Sequence, residues 1–245
     1  MKILLAPAEA KNSGGKEHAF CKNNFSFPSL FEKREFIFDR YEEHIKSLNI
    51  EDLKKWFGLK NEIEVKKYQE SLKNKASMKA IQRYNGVAFD ALDYEGLSQD
   101  EQSYIDRNVV LFSNLFGPIY ANDCIPDYKY KQGAKLPNIN IEKYYNENFT
   151  QILDDELGDE IIDIRAGYYE KFYKVKKASV LTFKFIKEGK VVSHWAKHYR
   201  GKLLQVLARN KVQTIEQFMN IEIEGLKLIE IQEKKNIKLL IMEIK

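Results

Sequence analysis

Residues 161–209 read IIDIRAGYYEKFYKVKKASVLTFKFIKEGKVVSHWAKHYRGKLLQVLAR, and the order of patterns in this stretch decides the fold class. Ile161 to Arg165 is a short apolar strand with two charges at its end. Val180 to Ile186 and Val191 to Ser193 are strand runs joined at Glu188-Gly189, which predicts a hairpin. Ala196 to Arg209 carries its leucines at helical spacing. Strand, hairpin and helix follow one another without the alternation that builds a regular βαβ sheet.

The irregularity continues outward. Towards the C-terminus, Thr214 to Met219 reads as a short helix, and Leu226 to Ile231 with Ile237 to Ile244 as a closing hairpin. Upstream, Ile141 to Leu157 is helical, while Gly117-Pro118 and Ala121 to Pro137 form a turn-rich segment. Val109 to Phe112 is a buried strand, preceded by a capping box at Ser98-Gln99-Asp100-Glu101 that starts a helix to about Asn108. Glu62 to Arg83 reads as one helix broken at Asn85-Gly86. Asn49 or Ser47 caps the helix before it, and Pro28 opens another. Ile3 to Ala6 is a short buried strand, and Ala8 to Phe27, with Ser13-Gly14-Gly15, a loop. No repeat and no Gly/Ser/Pro linker divides the chain. We therefore expect one α+β domain over 1–245, with a mixed central β-sheet wrapped by helices.

The chain has 245 residues, 44% of them hydrophobic, which suffices for a core without disulfides. Only 12 Gly and 5 Pro argue against collagen-like or low-complexity chains. Cys21 and Cys124 lack CxxC spacing, so neither a zinc framework nor a disulfide scaffold is expected. Met1 to Leu5 is too short for a signal peptide, and no run reaches a membrane span of about 20 apolar residues. These features predict a soluble cytoplasmic protein with no membrane partner. The expected oligomeric state is a monomer.

The charge is uneven. Residues 164–212 hold thirteen Lys and Arg against Glu170 and Glu188, a local net of +11 that leaves −7 for the rest of a chain whose total is +4. Such a segment suits a polyanion, although a solvated lysine-rich surface explains it equally well. Polar groups also sit just past apolar strands, where sites tend to gather. These are Glu9 and Lys11 after the first strand, Asp163 and Arg165 near 161, and His194, Lys197 and His198 after Val192. A carboxylate beside a lysine shifts either pKa into a useful range, so Glu9, Lys11, Asp163, Arg165 and His194 are candidate catalytic residues. Ordinary surface ion pairs are the competing reading. His194 and His198 have i, i+4 spacing but lack the Glu of HExxH and a third ligand, and no phosphate-binding glycine motif is present, so neither metal nor cofactor is expected.

Five ordered blocks resemble the YaaA family of peroxide-stress proteins (UPF0246 type). They are Leu4-Leu5-Ala6-Pro7-Ala8-Glu9-Ala10-Lys11 for LLPPSEGK, Tyr84 to Leu92 (YNGVAFDAL) for YxGVxYxAL, and Leu111 to Gly117 with Ile125 to Tyr130 (IPDYKY) for SGLYG…IPxYRL. Ile162 to Tyr169 (IDIRAGYY) resembles VDLRSGxY, and Val192 to Lys197 with Arg200-Gly201-Lys202 resembles VSHFxK…KGxL. Ala6, Ala8 and Ala10 depart from the opening block. The resemblance implies a cytoplasmic DNA-binding protein linked to oxidative stress and DNA repair, with a basic cleft and a helix-hairpin-helix element, here near 196–225. That element normally carries hairpin glycines, and here Gly225 comes late. The expected partner is double-stranded DNA or repair intermediates, met by Lys129, Arg165, Lys197, Arg200, Lys202, Arg209 and Lys211. The resemblance brings no established catalysis. An enzyme acting on nucleic acid or nucleotides through Glu9, Lys11, Asp163, Arg165, His194 and Lys197 is the alternative.

Overall fold

Lys2–Leu5 forms β1, and Ile3, Leu4 and Leu5 are almost wholly buried. A strand covered on both faces must be apolar throughout, which is why this one does not alternate. A computed structural model describes residues 1–16, 22–73 and 75–245. Cys21 and part of the expected loop 8–27 therefore lie outside the described residues.

After β1 come β2 (Ala10–Lys11), α1 (Phe31–Ser47), α2 (Ile50–Phe57), α3 (Glu62–Gln69), β3 (Ser77–Lys79), α4 (Ala80–Arg83), β4 (Tyr84–Asn85), α5 (Val87–Leu92), α6 (Gln99–Asn108), β5 (Val109–Ser113), β6 (Gly117–Tyr120) and β7 (Cys124–Pro126). The second half holds α7 (Ile141–Glu156), β8 (Glu160–Asp163), β9 (Ser179–Lys187), β10 (Lys190–Val191), α8 (Ser193–Arg209), α9 (Ile215–Met219), β11 (Leu226–Lys234) and β12 (Ile237–Ile244). The fold is α+β, as expected. Its central sheet runs β11-β12-β9-β8-β1-β5-β6, with β10 paired to the end of β9. The interior pairs β12–β9, β9–β8, β8–β1 and β1–β5 are parallel, and the edge strands β6 and β11 are antiparallel, so the sheet is mixed.

Local signals set several boundaries. Asn49 caps α2 by accepting from the Asp52 N–H, and the Ser98–Glu101 capping box starts α6. The single helix expected over 62–83 does not form. It ends at Gln69, because the buried Glu42 carboxylate draws the next turn away by accepting from the Ser71 hydroxyl and the Leu72 N–H, both at 2.8 Å. Ser77–Lys79 then pairs with Cys124–Pro126, inside the stretch that reads as turns. Here tertiary pairing overrides helix propensity.

The helix-hairpin-helix expectation near 196–225 is not confirmed. α9 has five residues, and the turn before it is the C-terminal closure of α8. Lys211 takes the left-handed position at φ 49° where such closures favour glycine, while the N–H groups of Lys211 and Val212 donate back to Ala208 and Leu207. Those donors are spent within the protein.

α8 packs closely on α5 because position 201 has no side chain. A Cβ there would lie 2.0 Å from the Ala88 carbonyl oxygen and 2.9 Å from the Ala91 Cβ. Propensity alone favours Gly201→Ala by about 1 kcal/mol. The clash is with backbone, so overpacking wins and a net loss of about 2 kcal/mol is expected. Urea unfolding monitored by circular dichroism measures it.

Candidate functional site

Parallel pairing sends the chain out of β1, β5 and β8 at the same edge of the sheet. After Leu5, the chain turns through Pro7, Ala8 and Glu9 into β2, which pairs antiparallel with β4 so that Lys11 stands opposite Tyr84. β7, held by β3, delivers Asp127, Tyr128 and Lys129 to the same place, and Ser113 ends β5 beneath them. The blocks containing Lys11, Tyr84, Ser113 and Tyr128 are far apart in sequence and meet here.

The Lys11 Nζ lies 4.2 Å from the Tyr128 ring centroid and 5.3 Å from that of Tyr84. It donates to the carbonyls of Glu9 at 3.2 Å and Ala8 at 3.5 Å. Among the described residues no carboxylate lies within ion-pair distance of it. Burial, reinforced by Lys129 and opposed by Asp127 and Glu9, brings its pKa down to about 7. Beneath it runs a hydroxyl chain: Tyr84 to Tyr128 at 2.8 Å and Tyr128 to Ser113 at 2.7 Å. Ser113 Oγ also accepts from the N–H groups of Leu115 and Phe116. Burial pushes the Tyr84 hydroxyl up to about 12 and raises that of Tyr128 well above its ordinary value, so both remain neutral.

Fully buried Arg83 anchors this loop. Its guanidinium donates to the carbonyls of Asn12, Gly14, Ala76 and Ile125, joining the segment after Lys11 to β7. Tyr84, Tyr128, Ser113 and Arg83 are absent from the site list read from sequence. Three of them, Tyr84, Ser113 and Tyr128, lie inside the quoted blocks YNGVAFDAL, Leu111 to Gly117 and IPDYKY, which was the available signal.

Glu9 is exposed, and its Oε1 accepts from the Gln132 N–H at 3.3 Å. Asp163 and Arg165 reach the same sheet edge but face each other. Arg165 makes a two-pronged pair with Asp163 at 2.9 and 2.6 Å and donates to the carbonyls of Tyr169 and Tyr173. It also stacks on Phe112, and its side chain is only 1% exposed. All of that resembles a structural clamp more than a ligand contact. Burial lowers the pKa of Arg200 on α8, opposed by the negative charges of Asp163 and Glu170.

His194 and Lys197 are exposed on the first turns of α8, which begins at Ser193, three residues before the expected start. The His198 ring meets those of Trp195 and Tyr199 edge-on. Among the described residues no group of three or more His, Cys, Asp and Glu is placed to hold a metal ion. Lys202 donates to Gln205, Lys211 pairs with Asp100 at the surface, and Arg209 is exposed. An exposed pair such as Lys211–Asp100 holds its partners weakly. Lys187 lies 5.0 Å from the ring centroid of Trp195, itself 45% exposed, and Lys190 is the ladder partner of Lys187. No helix among the described residues is long and apolar enough to cross a membrane.

Comparison with known proteins agrees with the motif blocks. An uncharacterized protein of Campylobacter jejuni is 44% identical over 245 residues, covering all of this chain and 99% of that one. A UPF0246 protein of Corynebacterium glutamicum is 32% identical over 232 residues, covering 90% and 91%. A UPF0246 protein of Malacoplasma penetrans is 28% identical, covering 91% and 88%. The family model described as peroxide stress protein YaaA matches residues 1–232. On that match, the chain belongs to the peroxide stress protein YaaA family.

Proposed function

We propose that this protein acts in the response to peroxide by binding duplex DNA or repair intermediates with little sequence preference. The observation that carries the reading is the surface built by the basic segment. Lys187 lies against the exposed Trp195 ring, Lys190 is its ladder partner on β10, and Lys197 is exposed on the first turns of α8, the helix that carries Trp195. Cations with an exposed aromatic ring suit phosphates and an unstacked base. Lys129, Arg200, Lys202, Arg209 and Lys211 extend the basic set, whereas the donors of Arg165 are already engaged.

Affinity for a duplex should fall linearly with salt on a log–log plot, by about 0.9 of slope per phosphate contact. Replacing Lys187, Lys190 and Lys197 together by Gln should reduce that slope by about 2 to 3 and weaken all sequences alike. Fluorescence anisotropy across a salt series checks it. Binding that ignores salt, or that the triple variant retains in full, counts against this reading.

The Lys11 cluster favours a second reading, an enzyme acting on nucleic acid or nucleotides through Glu9 and Lys11. Its support is the uncharged amine that burial favours near neutral pH.

A further inference from the structure

We infer that Lys11 is a nucleophile that forms an imine with aldehydes, assisted by Glu9 and by the hydroxyl chain through Tyr84, Tyr128 and Ser113. This names the chemistry of the second reading above and rests on it, not on DNA binding.

The geometry supplies three requirements. The first is an amine without a counter-ion. Lys11 Nζ touches two backbone carbonyls and two ring faces, with no carboxylate of the described residues at ion-pair distance. The groups that act on it are Lys129 and Arg83, which disfavour its charge, and Asp127 and Glu9, which favour it. With burial added, about half of Lys11 is neutral at pH 7, whereas an ordinary lysine is neutral in roughly one molecule per few thousand. An amine must be neutral to attack a carbonyl carbon.

The second requirement is a proton donor. Ser113 Oγ already accepts from two backbone N–H groups, so its hydroxyl donates to Tyr128. Tyr128 then donates to Tyr84, and the Tyr84 proton is left at the end of the chain. The third is a base, and the Glu9 carboxylate is exposed two residues from Lys11.

The Lys11 lone pair forms the C–N bond while the carbonyl π electrons move to oxygen, which takes a proton from the hydroxyl chain. Glu9 accepts a proton from nitrogen. Loss of water then leaves the imine, so that amine and aldehyde become imine and water, with no oxidant or reductant consumed.

The aldehyde has two sources to distinguish: a small free metabolite, or the sugar aldehyde of an abasic site in DNA. The test incubates the full chain with glyoxylate or with an abasic duplex in the presence of cyanoborohydride, which reduces any imine to a stable amine. Peptide mass spectrometry locates the adduct. Labelling of Lys11 at least tenfold faster than the median lysine is expected, with a rate that rises with pH and levels off above about 7. Glyoxylate alone reacting indicates a free aldehyde, and preferential reaction of the duplex indicates damaged DNA. Glu9→Gln should slow trapping by about a hundredfold while Lys11 stays in place. Uniform labelling of the lysines, or no preference for Lys11 with either probe, overturns the proposal. The competition is read within the native protein, so the result does not depend on whether Lys11→Arg folds. Loss of duplex binding with glyoxylate trapping intact would refute DNA binding alone.

Discussion

Asp163→Ala is expected to destabilise the protein by about 4 kcal/mol, because it strands a buried guanidinium. Arg165 is paired with Asp163 through two contacts at 2.9 and 2.6 Å, and its side chain is 1% exposed. Removing the carboxylate leaves the buried guanidinium without its counter-ion. For a chain of this length the loss corresponds to a fall in melting temperature of roughly 10 °C. Adding Arg165→Met to that variant should recover most of it, since an apolar replacement of both partners removes the uncompensated charge. Asp163→Asn, which keeps the shape, should fall between. Thermal unfolding of the three variants decides between a structural pair and a chemical one. A chemical Asp163 would lower activity or peroxide protection with little change in melting temperature.

Arg83→Met is expected to be more damaging, at about 5 kcal/mol, because one side chain satisfies four carbonyls. They belong to Asn12, Gly14, Ala76 and Ile125; the first three sit on exposed residues at half-buried bonds, where water replaces the guanidinium in part, whereas the bond to Ile125 is buried. An isolated buried carbonyl left unpaired costs about 1–3 kcal/mol, and partial relaxation keeps the total below the sum. The loop after β2 should loosen first, since Arg83 is what ties it to β7. Hydrogen exchange should show lost protection at Asn12, whose N–H donates to the Arg83 carbonyl, ahead of the core strands. Protection unchanged at Asn12 would mean that the loop is held by other contacts.

The elements most legible in the sequence are those whose signals are local. The α6 capping box, the Asn49 cap, the apolar runs of β1 and β5 and the hairpin at Glu188-Gly189 each depend on residues within a few positions. β3 and β7 were not legible, because a three-residue strand carries almost no periodic signal and exists through its partner. The helix expected over 62–83 failed for a related reason: the group that ends it, Glu42, lies 29 residues from Ser71.

For the site, the sequence by itself determined which groups follow apolar strands, the +11 balance of residues 164–212 and the motif blocks that mark the family. Composition and spacing are properties of the chain, so no folding is needed to read them. Only the tertiary structure decided what those groups do to one another. It turned Asp163 and Arg165 into a clamp, left His194 and Lys197 at the surface, and set Lys11 against Tyr84 and Tyr128. Solvation and pairing depend on distances between residues far apart in the chain, 117 positions in the case of Lys11 and Tyr128, and those distances exist only once the strands have paired.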